Sequence, residues 1–271
     1  MKRYFHILIS IFFTILILLP SCRKDELVVP TEYDILPFEM NPDSDPIGMY
    51  VLNEGNMGSN KASIDFVDFK NALYIRNMYA ERNPTVIKEL GDVGNDIQIY
   101  GSKLYAVINC SHKVEVMDAH TLIDIPNCRY IRFAQGKAYV SAYVGPVAMD
   151  PNAQLGAVYR IDTTSLKVTG KVTVGYQPDE LEILGEYIYV ANSGGYRAPN
   201  YDFTVSVVEM YGMKQVQKIP VAINLHRIRK DKYGKLWVSS RGNYGSIPSR
   251  LFVLDRKNKN SKEMEVKDTL D

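Results

Sequence analysis

The sequence predicts an all-β fold, a β-propeller, on three observations. A short strand centred on an aromatic residue recurs along the chain, at Tyr50, Tyr105, Tyr139, Tyr189 and Trp237. A second apolar strand follows each copy and ends in an acid, at Asp68, Asp118, Asp162, Glu209 and Asp255. These acids lie 44 to 50 residues apart. A period of about 40 to 50 residues made of short strands is typical of one four-stranded propeller blade.

The loops at the two ends of the predicted blades differ in length. Strands of a blade run from inner to outer, so successive connections alternate between the two ends. One end has tight hairpins such as 100–103 (YGSK) and 134–137 (AQGK), which carry ordinary turn residues. The other end has long irregular segments and the loops that join blade to blade. These segments are 53–60, 143–152, 192–201 and 241–246, and the joining loops are 91–96, 125–128, 176–179 and 224–227. Binding residues concentrate on such loops, so we expect function at this end, the long-loop face.

The long-loop face is rich in Asn, Gly, Tyr, Ser and Arg. Tyr offers a large apolar surface with a polar tip, and Asn and Ser offer adaptable hydrogen bonds. For any single residue, turn chemistry is the alternative explanation. The candidate ligand-binding residues are Asn53, Asn56, Asp96, Asn127, Tyr143, Asn192, Tyr196, Arg197, Tyr201, His226, Arg241, Asn243 and Tyr244.

Catalytic chemistry has little support in the sequence. Asp92, Asp96, Asp179 and Glu180 could hold calcium for a lactonase-like or other hydrolytic reaction, yet acids beside Gly and Pro mostly cap turns. His226 could act as a base or as a ligand to cobalt or another metal, but no second His, Cys or paired carboxylate lies at a helpful spacing. We therefore expect no catalytic residues, no metal site and no cofactor.

The N-terminal residues predict export. Lys2 and Arg3 precede an apolar run over 5–19 that is short for a membrane span. The segment 19–22 (LPSC) resembles a bacterial lipobox, which implies a signal peptide over 1–21 and lipidation of Cys22. The following 23–26 (RKDE) resembles the charged tether that directs lipoproteins of Bacteroidota to the outer face of the outer membrane. Alternatives are a plain secretory signal and an uncleaved anchor helix. We expect a flexible tether over 22–45 and the propeller over 46–271.

Charge and cysteine content exclude some functions. Cleavage before Cys22 leaves 30 basic and 31 acidic residues. The chain therefore has no basic field for nucleic acid. Cys110 and Cys128 remain, and the sequence leaves open whether they form a disulfide or two buried thiols.

Two sets of segments resemble known propellers. The segments 188–192 (IYVAN), 204–208 (TVSVV) and 216–221 (VQKIPV) look like one unit of the bacterial YVTN-type propellers. The segments 50–60 (YVLNEGNMGSN), 89–96 (ELGDVGND), 107–111 (VINCS) and 192–197 (NSGGYR) are similar to the surface cobalamin-capturing lipoproteins of gut Bacteroidota. This resemblance implies a non-catalytic protein that captures a corrinoid of the vitamin B12 type and passes it to a TonB-dependent outer-membrane transporter. A hydrolytic propeller and a protein-binding scaffold are the alternatives.

The resemblance also implies seven blades. About 47 residues per blade over the residues after Asp45 give about five blades. The sequence therefore predicts a seven-bladed ring that is truncated at its C-terminus, with closure of five blades as the alternative.

Overall fold

The structure, a computed structural model, describes residues 30–83, 89–117, 121–258 and 261–270, with the side chains of residues 81, 121 and 122 excepted. The predicted signal peptide, Cys22, the 23–26 tether and Asp118 lie outside these residues. In the described part, strands form five four-stranded antiparallel sheets. Each sheet is one blade, as the period of the sequence predicts.

The strands are numbered along the chain. Blade 1 contains β1 (Glu32–Ile35), β2 (Gly48–Asn53), β3 (Ser63–Asp68) and β4 (Leu73–Arg76). Blade 2 contains β5 (Gly94–Tyr100), β6 (Lys103–Ile108), β7 (Lys113–Met117) and β8 (Thr121–Asp124). Blade 3 contains β9 (Cys128–Ala134), β10 (Lys137–Ala142), β11 (Leu155–Asp162) and β12 (Val168–Tyr176). Blade 4 contains β13 (Pro178–Leu184), β14 (Tyr187–Asn192), β15 (Thr204–Glu209) and β16 (Lys214–Pro220). Blade 5 contains β17 (Leu225–Lys230), β18 (Leu236–Ser240), β19 (Arg250–Arg256) and β20 (Met264–Leu270). Helix α1 (Met78–Arg82) lies between blades 1 and 2, and a 3-10 turn, Gly195–Arg197, follows β14.

Blades 2 to 5 share one arrangement. Their strands pair in sequence order, and their first strands, β5, β9, β13 and β17, contact one another from blade to blade. These four are the inner strands. The predicted aromatics Tyr105, Tyr139, Tyr189 and Trp237 all lie in the second strands. The repeat found in the sequence is therefore the structural repeat.

Blade 1 is built differently. Its order is β1-β4-β3-β2, so the strand that carries Tyr50 holds the innermost place. The strand β1 pairs with β4, with Tyr33 opposite Ile75, and Asp34 forms an ion pair of 2.5 Å with Arg76. The predicted tether over 22–45 is thus wrong for Glu32–Ile35. Pairing of β1 with the edge of β4 satisfies backbone N–H and C=O groups that would otherwise be exposed to water. The amino-acid composition of 22–45 gives no sign of this pairing.

The hydrophobic core lies between neighbouring blades. Tyr105, Ile131 and Ile161 are fully buried between blades 2 and 3, and Leu225, Ile228 and Leu236 are fully buried where blade 5 meets blade 4. Each buried side chain of this size contributes about 1.5 to 3 kcal/mol. Packing of this kind fixes the inner strands relative to one another.

Candidate functional site

A residue with left-handed backbone conformation precedes each inner strand. These residues are Val93, Asn127, Gln177 and Asn224, with φ between 46° and 61°. Their carbonyl oxygens accept the N–H of the first residue after the second strand, at 2.8 to 3.2 Å; those donors are Asn109, Tyr143, Ser193 and Arg241. This repeated bond fixes the backbone at the base of the long loops.

A β-bulge follows at the start of each inner strand. In blades 3, 4 and 5, two residues of the inner strand oppose one residue of the second strand. The bulged pairs are Arg129 and Tyr130, Asp179 and Glu180, and His226 and Arg227. The opposing Ser141 and Ser239 hydroxyls accept the N–H groups of Tyr130 and Arg227, at 3.2 and 3.0 Å. Bulges redirect side chains, and here they bring polar and aromatic groups from three blades together.

The first group is the Asp179 cluster, formed by Asp179, Arg129, Tyr143, His226 and Arg241. The Asp179 carboxylate is fully buried. Its Oδ1 accepts from Arg129 Nε at 3.0 Å and from Tyr143 OH at 3.3 Å. Its Oδ2 lies 3.2 Å from His226 Nδ1 and 3.3 Å from Arg241 Nη1. Four side chains therefore hold one carboxylate.

These contacts keep Asp179 ionised. Burial raises the pKa of Asp179, but Arg129, His226 and Arg241 outweigh it and hold the pKa at about 2. Burial also raises the pKa of the Tyr143 hydroxyl, so that it stays a neutral donor.

The hydrogen bonds assign the tautomer of His226. Arg241 Nη2 lies 3.2 Å from His226 Nε2, and a guanidinium can only donate. The Nε2 atom is therefore the acceptor, and the Nδ1 atom carries the proton that points to Asp179. Both ring nitrogens of His226 are engaged in this arrangement.

The second group is the Glu180 cluster, formed by Glu180, Arg132, Arg227 and Arg229. Glu180 is fully buried, and its Oε1 lies 2.6 Å from Arg132 Nη2, 2.8 Å from Arg229 Nη2 and 3.7 Å from Arg227 Nη1. Its Oε2 accepts the N–H of Ile228 at 3.0 Å.

Two contacts join the Glu180 cluster to its neighbours. Arg132 Nη1 also contacts Asp96 Oδ2 at 3.2 Å, so blades 2 to 5 are linked through these side chains. The guanidinium of Arg227 covers Tyr130, 4.7 Å from the ring centre.

The structure brings four of the predicted site residues together. Tyr143, His226 and Arg241 meet at Asp179, and Asp96 reaches the same region through Arg132. Asp179 and Glu180, the possible calcium ligands of the sequence, have cations and hydrogen-bond donors as partners in the described structure. Among the described residues, no group of three or more His, Cys, Asp or Glu side chains could hold a metal ion.

Three predicted Asn residues have structural partners instead. Asn53 Nδ2 donates to Asp65 at 2.7 Å, and Asn192 Nδ2 donates to Thr204 and Ser206 inside blade 4. Asn127 has φ 49° and donates its side-chain amide to the Gly145 carbonyl. Asn accepts the left-handed conformation better than most residues. Hydrogen bonds within turns and strands therefore account for these three Asn side chains without a ligand.

The remaining candidates lie on the loops themselves. Tyr196 packs edge-on against Tyr143, with ring centres 6.3 Å apart, and the Arg197 guanidinium lies 3.5 Å from the centre of the Tyr176 ring. Asn243 Oδ1 accepts backbone N–H groups of its own loop. Tyr244 is 75% exposed. Asn56 is exposed and Tyr201 is half-buried.

A cavity of about 440 Å³ opens on the long-loop face beside these loops. It is lined by Met57, Cys110, His112, Pro126, Asn127 and residues 144–147. Most of these side chains are apolar, so the cavity offers a non-polar wall next to the polar loops.

Sequence reasoning missed the arginines. Arg129 and Arg132 lie inside β9, and Arg227 and Arg229 lie inside β17; of these four, only Arg227 falls within a loop segment named from the sequence, 224–227. A comparison of the blades shows a signal for them in the sequence. Near the start of the inner strand, blade 3 has 129–132 (RYIR) and blade 5 has 226–229 (HRIR). At the equivalent place, blade 4, which lies between them, has 179–180 (DE). Basic pairs therefore flank an acidic pair in adjacent blades.

The two cysteines are free thiols in the described structure. Cys128 is fully buried, and burial raises its pKa to about 12, while Cys110 is half-buried and its Sγ lies 3.4 Å from Asn109 Oδ1. The sequence leaves open a disulfide or two separate thiols, and the structure shows two separate thiols. No helix within the described residues has the length and apolar character needed to cross a membrane.

Comparison with known proteins identifies the family. Residues 47–269 match the family described as "Domain of unknown function (DUF5074)", and the chain belongs to this family. No curated protein matches the sequence.

Solved structures share the fold. Hydrazine synthase of Kuenenia stuttgartiensis has a TM-score of 0.58 at 16% identity, over 80% of this chain and 62% of that one. The WD40 β-propeller domain of Doa1 has a TM-score of 0.54 at 9% identity, over 84% and 66%. A protein of unknown function from Bacteroides caccae has a TM-score of 0.50 at 12% identity, over 82% and 72%. The chain thus spans less than two thirds of the first two structures. The fold is a β-propeller, which confirms the predicted class.

Proposed function

We propose that this protein captures a corrinoid of the vitamin B12 type on its long-loop face, without catalysis. The proposal starts from the resemblance of 50–60, 89–96, 107–111 and 192–197 to the surface cobalamin-capturing lipoproteins of gut Bacteroidota.

The observation that carries the proposal is the Asp179 cluster beneath the long loops. It fixes Tyr143 and Arg241 at the base of two loops, and Tyr196 packs on Tyr143 from above. A rigid aromatic and basic floor binds a large ligand at low entropic cost. A corrinoid is a flat macrocycle with amide side chains, which suits Tyr rings and amide or guanidinium partners.

The cavity beside the loops supports the same ligand class. Its wall includes Met57, Pro126, Val144 and Val147, which can cover an apolar edge of a macrocycle. A polar face next to an apolar wall is typical of sites for large ligands with both kinds of surface.

The state of the ionisable groups favours binding over catalysis. A buried carboxylate with a pKa of about 2 and four partners is a poor general base. Both nitrogens of His226 are engaged, so His226 is poorly placed to ligate cobalt. We therefore infer that binding does not require a bond from His226 to the metal.

The proposed location follows from the N-terminal sequence. A lipid on Cys22 would anchor the protein in the outer membrane, facing the cell exterior, where it can pass the ligand to a TonB-dependent transporter. A Cys22→Ala variant should leave the membrane fraction. Wild-type protein on intact cells should be cleaved by added protease, and protection would contradict the exposed location.

Loop variants test the binding face. Replacing Tyr196 and Tyr244 by Ala removes two aromatic contacts and should weaken cyanocobalamin binding by about 2 kcal/mol or more, measured by calorimetry. The matched control is Tyr233→Ala, because Tyr233 is 76% exposed in the β17–β18 turn at the opposite end. An equal loss from the control would place the ligand elsewhere.

A further inference from the structure

The two clusters carry more positive than negative charge. Five guanidinium groups, from Arg129, Arg132, Arg227, Arg229 and Arg241, surround three carboxylates, from Asp96, Asp179 and Glu180. His226 is left out of this count. Lys230 and Glu182 pair with each other at 3.5 Å and cancel. Each arginine contacts at least one carboxylate, but the groups counted carry an excess of two positive charges.

The excess charge is concentrated at Glu180. Three guanidinium groups approach the single atom Oε1 of Glu180, at 2.6, 2.8 and 3.7 Å. Like charges this close repel one another. A second anion beside Glu180 would relieve that repulsion.

Two of the three arginines are accessible and have donors left over. The side chains of Arg227 and Arg229 are 48% and 57% exposed, whereas that of Arg132 is 11% exposed. Arg229 uses one nitrogen on Glu180, and Arg227 reaches Glu180 only at ion-pair distance. Each guanidinium has five N–H donors in a planar fork that matches a phosphate group.

We propose that Arg227 and Arg229 bind the phosphate group of the captured ligand. This inference rests on the proposed function, since a complete corrinoid carries one phosphodiester in its nucleotide loop. The arginines lie on β17, beside the Asp179 cluster that forms the floor of the face. The macrocycle would contact the loops while the phosphate reaches the Glu180 cluster.

The test compares two ligands that differ only in the phosphate, cobinamide and cobinamide phosphate, by calorimetry on the purified full protein. The phosphate should tighten binding to the wild type by roughly 10- to 100-fold, as charged hydrogen bonds do. The Arg227→Gln/Arg229→Gln variant should lose this difference while keeping its affinity for cobinamide. Arg227→Lys/Arg229→Lys should retain part of it, and added NaCl should reduce it.

The control is Arg256→Gln, an exposed arginine at the end of β19, which should behave as the wild type. Equal affinity of the wild type for both ligands would overturn the phosphate site and leave corrinoid capture standing. A difference that persists in the Gln variant would also overturn it. If neither ligand binds the wild type, corrinoid capture fails and the phosphate site fails with it.

Discussion

His226 Nδ1 lies 3.2 Å from Asp179 Oδ2, although the two residues belong to neighbouring blades and are 47 positions apart. Each residue starts an inner strand at the same bulge position of the repeat. The contact therefore arises from the repeat itself, which places equivalent positions of adjacent blades side by side. The acidic residue at this position in blade 4 attracts the basic residues at the same position in blades 3 and 5, and this attraction holds the long-loop face together.

Removing the charge of Asp179 should destabilise the fold. Asp179→Asn keeps the size of the side chain but leaves Arg129, which is 13% exposed, without its carboxylate. Breaking a buried ion pair in this way costs about 3 to 5 kcal/mol. Urea unfolding followed by circular dichroism measures the loss. Asp150→Asn, at an exposed loop position, is the control and should change stability by less than about 0.5 kcal/mol.

Acid should destabilise the protein through the same residue. The pKa of Asp179 is about 2 in the folded state, below the ordinary 3.8, so the folded state binds fewer protons than the unfolded state near pH 3. Its contribution is complete above about pH 4 and declines as the pH falls toward 2. Unfolding midpoints between pH 5 and pH 2.5 should fall more steeply for the wild type than for Asp179→Asn. Parallel curves would show that Asp179 is not the group responsible.

Replacing Gly242 or Gly101 by alanine should lower stability by different amounts, although the two glycines have similar φ angles. Gly242 has φ 63° and an added Cβ would lie 2.0 Å from the Ile247 carbonyl oxygen, whereas Gly101 has φ 60° and open space. Gly101→Ala should cost about 1 kcal/mol for the left-handed conformation alone. Gly242→Ala should cost more and should also weaken ligand binding, because it displaces the loop that carries Tyr244. Thermal melting and calorimetry on both variants provide the comparison.

The thiols should be free but unequal. Cys128 is fully buried with a raised pKa, so it should resist thiol reagents in the native protein, while the half-buried Cys110 should react slowly. In guanidinium chloride without reductant, both should be titrated. If neither cysteine reacts with the thiol reagent in the unfolded, unreduced protein, the two are instead joined by a disulfide.

The sequence predicted the repeat better than the site. The aromatic second strands mark blades 2 to 5 because burial between blades favours them at a fixed period, as Tyr105 and Tyr189 show. The closing acids recur for another reason, since Asp68, Asp162 and Glu209 accept backbone N–H groups of the turn that follows. The strand β1 was missed because edge pairing requires only backbone groups, and its residues are exposed.

Among the site residues, Tyr143, His226 and Arg241 were found because they border long loops. Arg129 and Asp179 form the centre of the cluster. Asp179 was named from the sequence only as a possible calcium ligand, and Arg129 was not named because it lies in a strand whose alternation is broken by a bulge. One inserted residue reverses the faces of a strand, so alternation assigns the Arg129 side chain to the wrong face. An alignment of the blades by their inner strands would have shown the matching basic and acidic pairs.

Direct titration of the purified protein with cyanocobalamin, followed by calorimetry, tests the central claim that the long-loop face captures a corrinoid. We expect saturable binding of one corrinoid per protein, weakened by Tyr196→Ala with Tyr244→Ala and retained in Tyr233→Ala. Absence of saturable binding by the folded wild-type protein would contradict the claim.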